Sequence, residues 1–168
     1  MLKYIGIGFF GLLVMLFTPV AMAACPMPPI DPTIALYEVP VEPGVSYDDV
    51  IESLKVTAEG KNFVNPANFA LGENMTKRGL TPEGPLEVRA YCNLSLGAEI
   101  MLDHPEFAAF APCRIAIYQK RGKLYLALDR PTFDLKSIKN PTVRAQKAAQ
   151  ELEDTLISIM EQARKGEI

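Results

Sequence analysis

Two cysteines, Cys92 and Cys113, are the residues of this chain whose chemistry is most distinctive. Cys92 ends a strand-like run that begins at Leu86, and Cys113 opens another that extends to Tyr118. A thiol can close a disulfide, act as a nucleophile once deprotonated, or bind a soft metal ion. The two positions therefore define the candidate site, and the surrounding elements decide which chemistry is open to it.

Three interpretations of the pair stay open on the sequence alone. An exported chain meets an oxidising compartment, which favours a structural disulfide between Cys92 and Cys113. Antiparallel flanking strands would bring the two together, whereas parallel strands would separate their Cα atoms beyond the roughly 7 Å limit for a bridge. A functional thiol is the second interpretation, because Cys92 directly precedes a predicted helix N-terminus. The third is that both are small buried hydrophobes.

A metal site is a lesser alternative. His104, the single histidine, and Met101 lie between the cysteines in sequence, and Cys, His and Met together suit a soft metal such as copper. The spacing of Cys92, Cys113 and His104 matches no recognised ligand pattern. The sequence therefore predicts no resident cofactor, with copper or zinc as the alternative.

The segment between the cysteines also supplies a candidate pocket. We expect a concave surface between the sheet and a helix over residues 94–102, walled by two phenylalanines. Its candidate lining residues are Asn93, Met101, Phe107, Phe110 and Pro112.

Residues 1–23 have the pattern of a secretory signal peptide. Lys3 gives a short positive region, residues 5–17 are apolar or glycine, and Ala21-Met22-Ala23 is a small-residue cleavage site. An apolar run of about 13 residues is short for a bilayer, which needs roughly 20. No later segment approaches that length, so the sequence predicts export to the bacterial periplasm and no transmembrane span.

Cys25 follows the predicted cleavage site. Met22-Ala23-Ala24-Cys25 is similar to a lipobox, so lipidation at Cys25 is an alternative to a free N-terminus. The proline-rich residues 24–33 are interpreted as a linker, and residues 34–165 as a single domain.

Strand and helix signals alternate through the domain. Strands are expected at 34–39, 86–91, 115–118 and 124–128, the last two joined as a hairpin. Residues 62–71 are ambiguous, because Pro66 argues against a central strand while Phe63 and Phe69 are apolar. Helices are expected after an N-cap at Ser46, at 72–78, and at 94–102 after Asn93.

The last helix has the clearest pattern, with Asn140 as its expected N-cap. Apolar residues recur at three- and four-residue steps from Ala145 to Ala163, which favours burial against the protein's own sheet over a coiled coil. The long stripe also motivates the hypothesis of a homodimer. Together these elements predict an α+β two-layer sandwich, with a mixed or antiparallel sheet of about five strands packed against helices.

Composition and motifs exclude several function classes. The net charge is −3, and the lysines and arginines are scattered, which argues against nucleic-acid binding. Neither a G-x-S-x-G elbow, a P-loop, a Rossmann glycine run nor a C-x-x-C motif is present. The chain is therefore interpreted as a binding protein in preference to an enzyme.

An ordered set of short motifs resembles domain-of-unknown-function family 302. The motifs are Ala90-Tyr91-Cys92-Asn93, Leu96-Gly97-Ala98 and Ala111-Pro112-Cys113, preceded by the strand and helix over residues 37–55. In that family a strand ending in Cys-Asn leads to a helix and then to a Pro-Cys pair that opens a hairpin. In that family a proline usually follows the Cys-Asn pair, and Leu94 takes its place here. The Asp-Pro pair that closes the family pattern corresponds to Asp129-Arg130-Pro131. The resemblance implies the α+β fold but no established activity.

Two functional hypotheses follow. The first is a non-enzymatic periplasmic module that binds a small molecule or an envelope protein. The second is a thiol-redox or soft-metal-handling protein of the envelope that uses Cys92 and Cys113.

Overall fold

The computed structural model describes residues 26–168. The signal peptide and the lipidation hypothesis at Cys25 concern residues 1–25 and lie outside the described part. Five strands are present there: β1 (Leu36–Pro40), β2 (Val64–Phe69), β3 (Leu86–Cys92), β4 (Cys113–Lys120) and β5 (Lys123–Asp129). The helices are α1 (Tyr47–Gly60), α2 (Leu71–Thr76), α3 (Leu94–Met101), α4 (Pro131–Asp134) and α5 (Val143–Ala163), with short 3-10 turns at Pro105–Ala109 and Leu135–Ser137.

The strands form one antiparallel sheet in the order β1-β5-β4-β3-β2. Alternate residues of the central strands, among them Ile115, Ile117, Leu126 and Leu128, are fully buried and share one hydrophobic core with the helices. The predicted α+β class, the five strands and the long C-terminal helix are confirmed, and of the two predicted sheet types the antiparallel one is present.

Local signals predict α1 well. The Ser46 hydroxyl accepts a hydrogen bond from the Asp49 amide (3.1 Å), and the Asp49 carboxylate accepts one from the Ser46 amide (2.9 Å). This reciprocal capping box satisfies two amides that the first helical turn leaves without partners. The apolar face of the helix is buried through Val50, Leu54 and Ala58.

The predicted start of α5 is wrong by two residues. Thr142 is the N-cap, and its hydroxyl accepts a hydrogen bond from the Ala145 amide (3.1 Å). Asn140 has a φ of 50°, in the left-handed region, so it belongs to the preceding turn. The predicted stripe is buried from Ala145 to Ala163 against α1, α3 and α4 of the same chain. Because the stripe is used within the chain, it no longer supports a homodimer.

The ambiguous segment at 62–71 contains the edge strand β2. Pro66 is tolerated there because an edge strand has one unpaired side, and the pairing with β3 is irregular between Val64 and Ala67.

The predicted hairpin of β4 and β5 is confirmed. Arg121 (φ 54°) and Gly122 (φ 73°) form its two-residue turn, where positive φ at both positions suits the twist of the strands.

The described part of the proline-rich segment, residues 26–33, lies against the domain. Met27 packs against the core, and the Tyr37 hydroxyl donates a hydrogen bond to the Pro28 carbonyl (3.2 Å). The Lys136 ammonium donates to the Pro32 carbonyl (2.7 Å). Backbone carbonyls of this segment, which lies outside the sheet, are thus satisfied by side chains of the domain.

Arg130 links the end of residues 26–33 to the core. Its guanidinium donates to the carbonyls of Asp31 (2.6 Å) and Ile34 (2.8 Å), and it forms an ion pair with Glu153 (2.9 Å). Arg130 and Glu153 are both almost fully buried. The Glu153 carboxylate also accepts a hydrogen bond from the Thr132 amide (3.0 Å), so one ion pair joins the segment, the end of β5 and α5.

Candidate functional site

Antiparallel pairing brings the two cysteines to the same end of the sheet. Tyr91 of β3 lies opposite Cys113 of β4, and Cys92 is one residue beyond Tyr91. The chain reverses between these positions through α3 and the turn at 105–109, so the end of β3 and the start of β4 are neighbours. The parallel arrangement that would have separated the thiols is therefore excluded.

A small cavity of about 30 Å³ lies at this end of the sheet. Its lining includes all seven residues of the predicted thiol pair and pocket: Cys92, Asn93, Met101, Phe107, Phe110, Pro112 and Cys113. The volume exceeds the roughly 10–15 Å³ needed for one water molecule but is far below a drug-sized site. The cavity can thus hold an ion or a group of very few atoms. We call it the thiol cavity.

Both cysteines are free thiols in the structure. Burial, assisted by charge repulsion from the nearby Cys92 and Asp134, raises the pKa of the Cys113 thiol to about 12. At neutral pH the Cys113 thiol is therefore protonated, and it lacks the lowered pKa of a catalytic thiolate.

The positions of Phe107 and Phe110 and the start of α3 follow from the local sequence. Phe107 and Phe110 are one 3-10 turn apart, which puts their ring centroids 5.7 Å from each other in a tilted arrangement. The Asn93 side chain accepts a hydrogen bond from the Leu96 amide (3.1 Å) as the N-cap of α3. Asn93 is thus engaged in capping, and its burial follows from that role.

His104 does not join the cysteines. Its Nε2 accepts a hydrogen bond from the Thr142 amide (3.0 Å), which ties the end of α3 to the start of α5. An imidazole nitrogen that accepts a backbone hydrogen bond is a structural group, and His104 does not line the thiol cavity. Among residues 26–168, no three His, Cys, Asp or Glu side chains are grouped so that they could hold a metal ion.

Sequence reasoning misses the rest of the cavity lining. The remaining lining residues are Tyr91, Gly97, Ala111, Pro131, Asp134 and Leu152. Asp134 and Leu152 belong to α4 and α5, and no local motif connects them with the cysteines. Burial, assisted by the neighbouring Asp129, raises the pKa of the Asp134 carboxyl to about 6. A signal was available for Tyr91, Gly97, Ala111 and Pro131, which lie inside the quoted motifs, but not for Asp134 or Leu152.

A larger cleft of about 750 Å³ lies at the opposite end of the sheet, beside the β4–β5 turn. It is lined by prolines and apolar residues together with Gly122 and Lys123, and Pro26 contributes to its rim. None of the predicted site residues reaches it. We call it the turn cleft.

An antiparallel sheet with helices and a small thiol-lined cavity at one end define a two-layer α+β module. The chain matches the family described as "Domain of unknown function DUF302" over residues 37–163, and it belongs to that family. The expected family is therefore confirmed, and its description assigns no activity.

Known relatives agree with this assignment. A protein of Aquifex aeolicus (strain VF5) described as "Uncharacterized protein" is 35% identical over 85 residues, which are 51% of this chain and 52% of the relative. The chain thus spans about half the length of that curated relative. The crystal structure of an uncharacterized conserved DUF302 protein from Bacillus stearothermophilus superposes with a TM-score of 0.69 at 21% identity, over 77% of this chain and 98% of that one. At this identity the likeness shows the fold alone.

Within residues 26–168, no helix combines the length and apolar character that a bilayer crossing requires.

Proposed function

We propose that this protein is an exported, non-enzymatic periplasmic module that holds a small ligand in the thiol cavity. One observation carries the proposal: residues from β3, α3, the 105–109 turn and β4 converge on one partly enclosed space at one end of the sheet. The N-terminal pattern of residues 1–23 supports export.

The walls and thiols favour binding over catalysis. Phe107, Phe110 and Leu152 give the cavity an apolar surface. The Asn93 side-chain oxygen accepts the capping hydrogen bond of α3 and is therefore already engaged. The raised pKa of Cys113 leaves that thiol protonated. A nucleophile would need the opposite environment, with a neighbouring cation or base that favours thiolate.

Native mass spectrometry of the protein purified from its host tests the proposal. The mass of the native protein should exceed that of the denatured chain by one small ligand. Gly97→Leu should abolish this increment. Gly97 and Met101 both line the thiol cavity, and a Cβ at Gly97 would already lie 3.2 Å from the Met101 methyl, so a leucine side chain would take up the space that the ligand needs.

Gly60→Ala is the matched control, since a Cβ at Gly60 meets no atom within 4 Å, and this variant should retain the ligand. Recovery of wild-type protein without any bound mass would refute the proposed function. An increment that survives Gly97→Leu would place the ligand elsewhere and also count against it.

A further inference from the structure

We infer that the thiol cavity is a copper(I) site, with Cys92 and Cys113 as thiolate ligands and Met101 as a thioether ligand. The inference rests on the proposed function and names the chemical class of the ligand. Its basis is that three sulfur-bearing side chains line one small, mostly apolar space.

The ligand chemistry selects the ion. Thiolate and thioether sulfur are soft donors that favour copper(I) over hard cations, and a methionine is an unusual ligand for zinc. A structural zinc site takes four Cys, His or carboxylate ligands. Residues 26–168 contain no group of even three such side chains suitably placed. Two thiolates with a thioether therefore fit copper(I) and leave zinc without a complete site.

The size and the walls of the cavity agree with this choice. A volume of about 30 Å³ admits a single ion and excludes a chelating cofactor. The rings of Phe107 and Phe110 lie on the same cavity and limit access of water to the ion. On binding, the two thiols each lose a proton to solvent. Two Cu–thiolate bonds and one Cu–thioether bond form as the ion leaves the ligands that carried it in solution, and the ion keeps its oxidation state.

The Met101 thioether has room to act as the third ligand. Met101 is the last residue of α3, and its methyl packs against Gly97, within 3.2 Å of where a Cβ at that position would lie, so the thioether fills a gap that only glycine leaves. Unbranched methionine adapts readily to such a gap.

Anaerobic titration of the reduced protein with copper(I), in competition with a chromogenic copper(I) chelator, tests the inference. We expect one ion per chain for the wild type. Cys92→Ser and Cys113→Ser should each abolish competitive binding, and Met101→Leu should weaken it. Met75→Leu, a volume-conserving change on α2 remote from the cavity, should leave binding unchanged.

X-ray absorption at the copper edge gives a second readout that does not depend on variants. It should show a first shell of sulfur only. Gly97→Leu keeps all three sulfurs and should also lose the ion. If a cysteine variant fails to fold, the loss of copper from Gly97→Leu therefore still tests the site.

The outcomes separate the two proposals. Copper uptake that persists in both cysteine variants, or a shell with nitrogen or oxygen ligands, overturns the copper site. Absence of copper binding, combined with another ligand that Gly97→Leu displaces, overturns the copper inference and leaves the proposed function standing. Absence of any ligand overturns both.

Discussion

Tyr118 and Tyr125 face each other across β4 and β5, and they differ in one interaction. Their rings stack with centroids 5.9 Å apart, and the Lys120 ammonium lies near both rings. Only the Tyr118 hydroxyl donates a hydrogen bond to the Glu38 carboxylate of β1, which also accepts two hydrogen bonds from Lys120. The pair offers a direct measure of what a hydrogen bond to a carboxylate contributes to this sheet.

This hydrogen bond predicts a pH-dependent stability. Burial alone would raise the pKa of Glu38, but the hydrogen bonds from Tyr118 and Lys120 outweigh it and hold the pKa below the ordinary value of 4.5. A carboxyl with a lowered pKa stabilises the folded state above its unfolded pKa, and this contribution is lost as the pH falls through the folded value. Tyr118→Phe should therefore lower the free energy of unfolding by about 1 kcal/mol at pH 7, after allowance for solvent screening.

Urea denaturation at pH 7 and at pH 3 measures the effect, which should shrink at the lower pH. Tyr125→Phe removes a hydroxyl from the same stack without removing a bond to Glu38, so it should be nearly neutral at both pH values. An equal loss in both variants would show that ring packing, and not the carboxylate bond, accounts for the effect.

At the level of secondary-structure elements, the Arg130–Glu153 pair is the main buried polar contact between the sheet and α5. Both side chains are nine-tenths or more buried, and their remaining hydrogen-bonding groups are largely satisfied by Thr132 and the carbonyls of Asp31 and Ile34. Charges in this position are tolerated because each has several partners, and they become costly once one partner is removed.

Glu153→Gln should destabilise the protein by about 3 kcal/mol, because it leaves the buried Arg130 guanidinium without a counter-charge. Glu73→Gln is the control, since it breaks an exposed ion pair with Lys77 and should cost under about 1 kcal/mol. Chemical denaturation compares the two variants. Similar small losses would mean that water reaches Arg130 and screens it.

The elements that local signals encode were predictable from sequence. The capping box at Ser46, the hairpin turn and the apolar stripe of α5 each rest on residues within a few positions of one another. The start of α5 was missed because Asn140 and Thr142 are both good capping residues, and the tertiary contacts of Thr142 with His104 and Asp103 favour the second. The direction of β3 relative to β4 was undecided, because pairing across α3 is a long-range contact.

The candidate site was predictable to the same extent. Cys92, Met101, Phe107 and Cys113 lie in one stretch of chain, so the sequence indicated their proximity. Asp134 and Leu152 reach the cavity only because α4 and α5 fold back over it. The Arg130–Glu153 pair was missed for the same reason, since its members are 23 positions apart and no motif contains both.

At the scale of the whole molecule, residues 26–33 extend the domain beyond the segment that matches the family. A chain that begins at Ile34 loses the hydrogen bonds at Pro28, Asp31 and Pro32. It should be less stable by about 2 kcal/mol than a chain that begins at Pro26, given roughly 1 kcal/mol per net hydrogen bond and some compensation by water. Thermal and urea unfolding of the two chains test this, and equal stability would show that the segment lies on the domain without stabilising it.

The same segment determines which end of the sheet lies near Pro26, the first described residue. Pro26 lies at the rim of the turn cleft, beside Gly122 and Lys123, whereas Asp31 is held by Arg130 beyond the other end of β5. The eight residues of β4 separate the turn from Cys113 by about 23 Å, at roughly 3.3 Å per residue. A group joined to the chain just before Pro26, whether a lipid, a fusion partner or a sensor surface, would therefore lie at the pole of the domain remote from the thiol cavity. Attachment at that point would therefore leave the end of the sheet that holds the thiol cavity clear of the attached group.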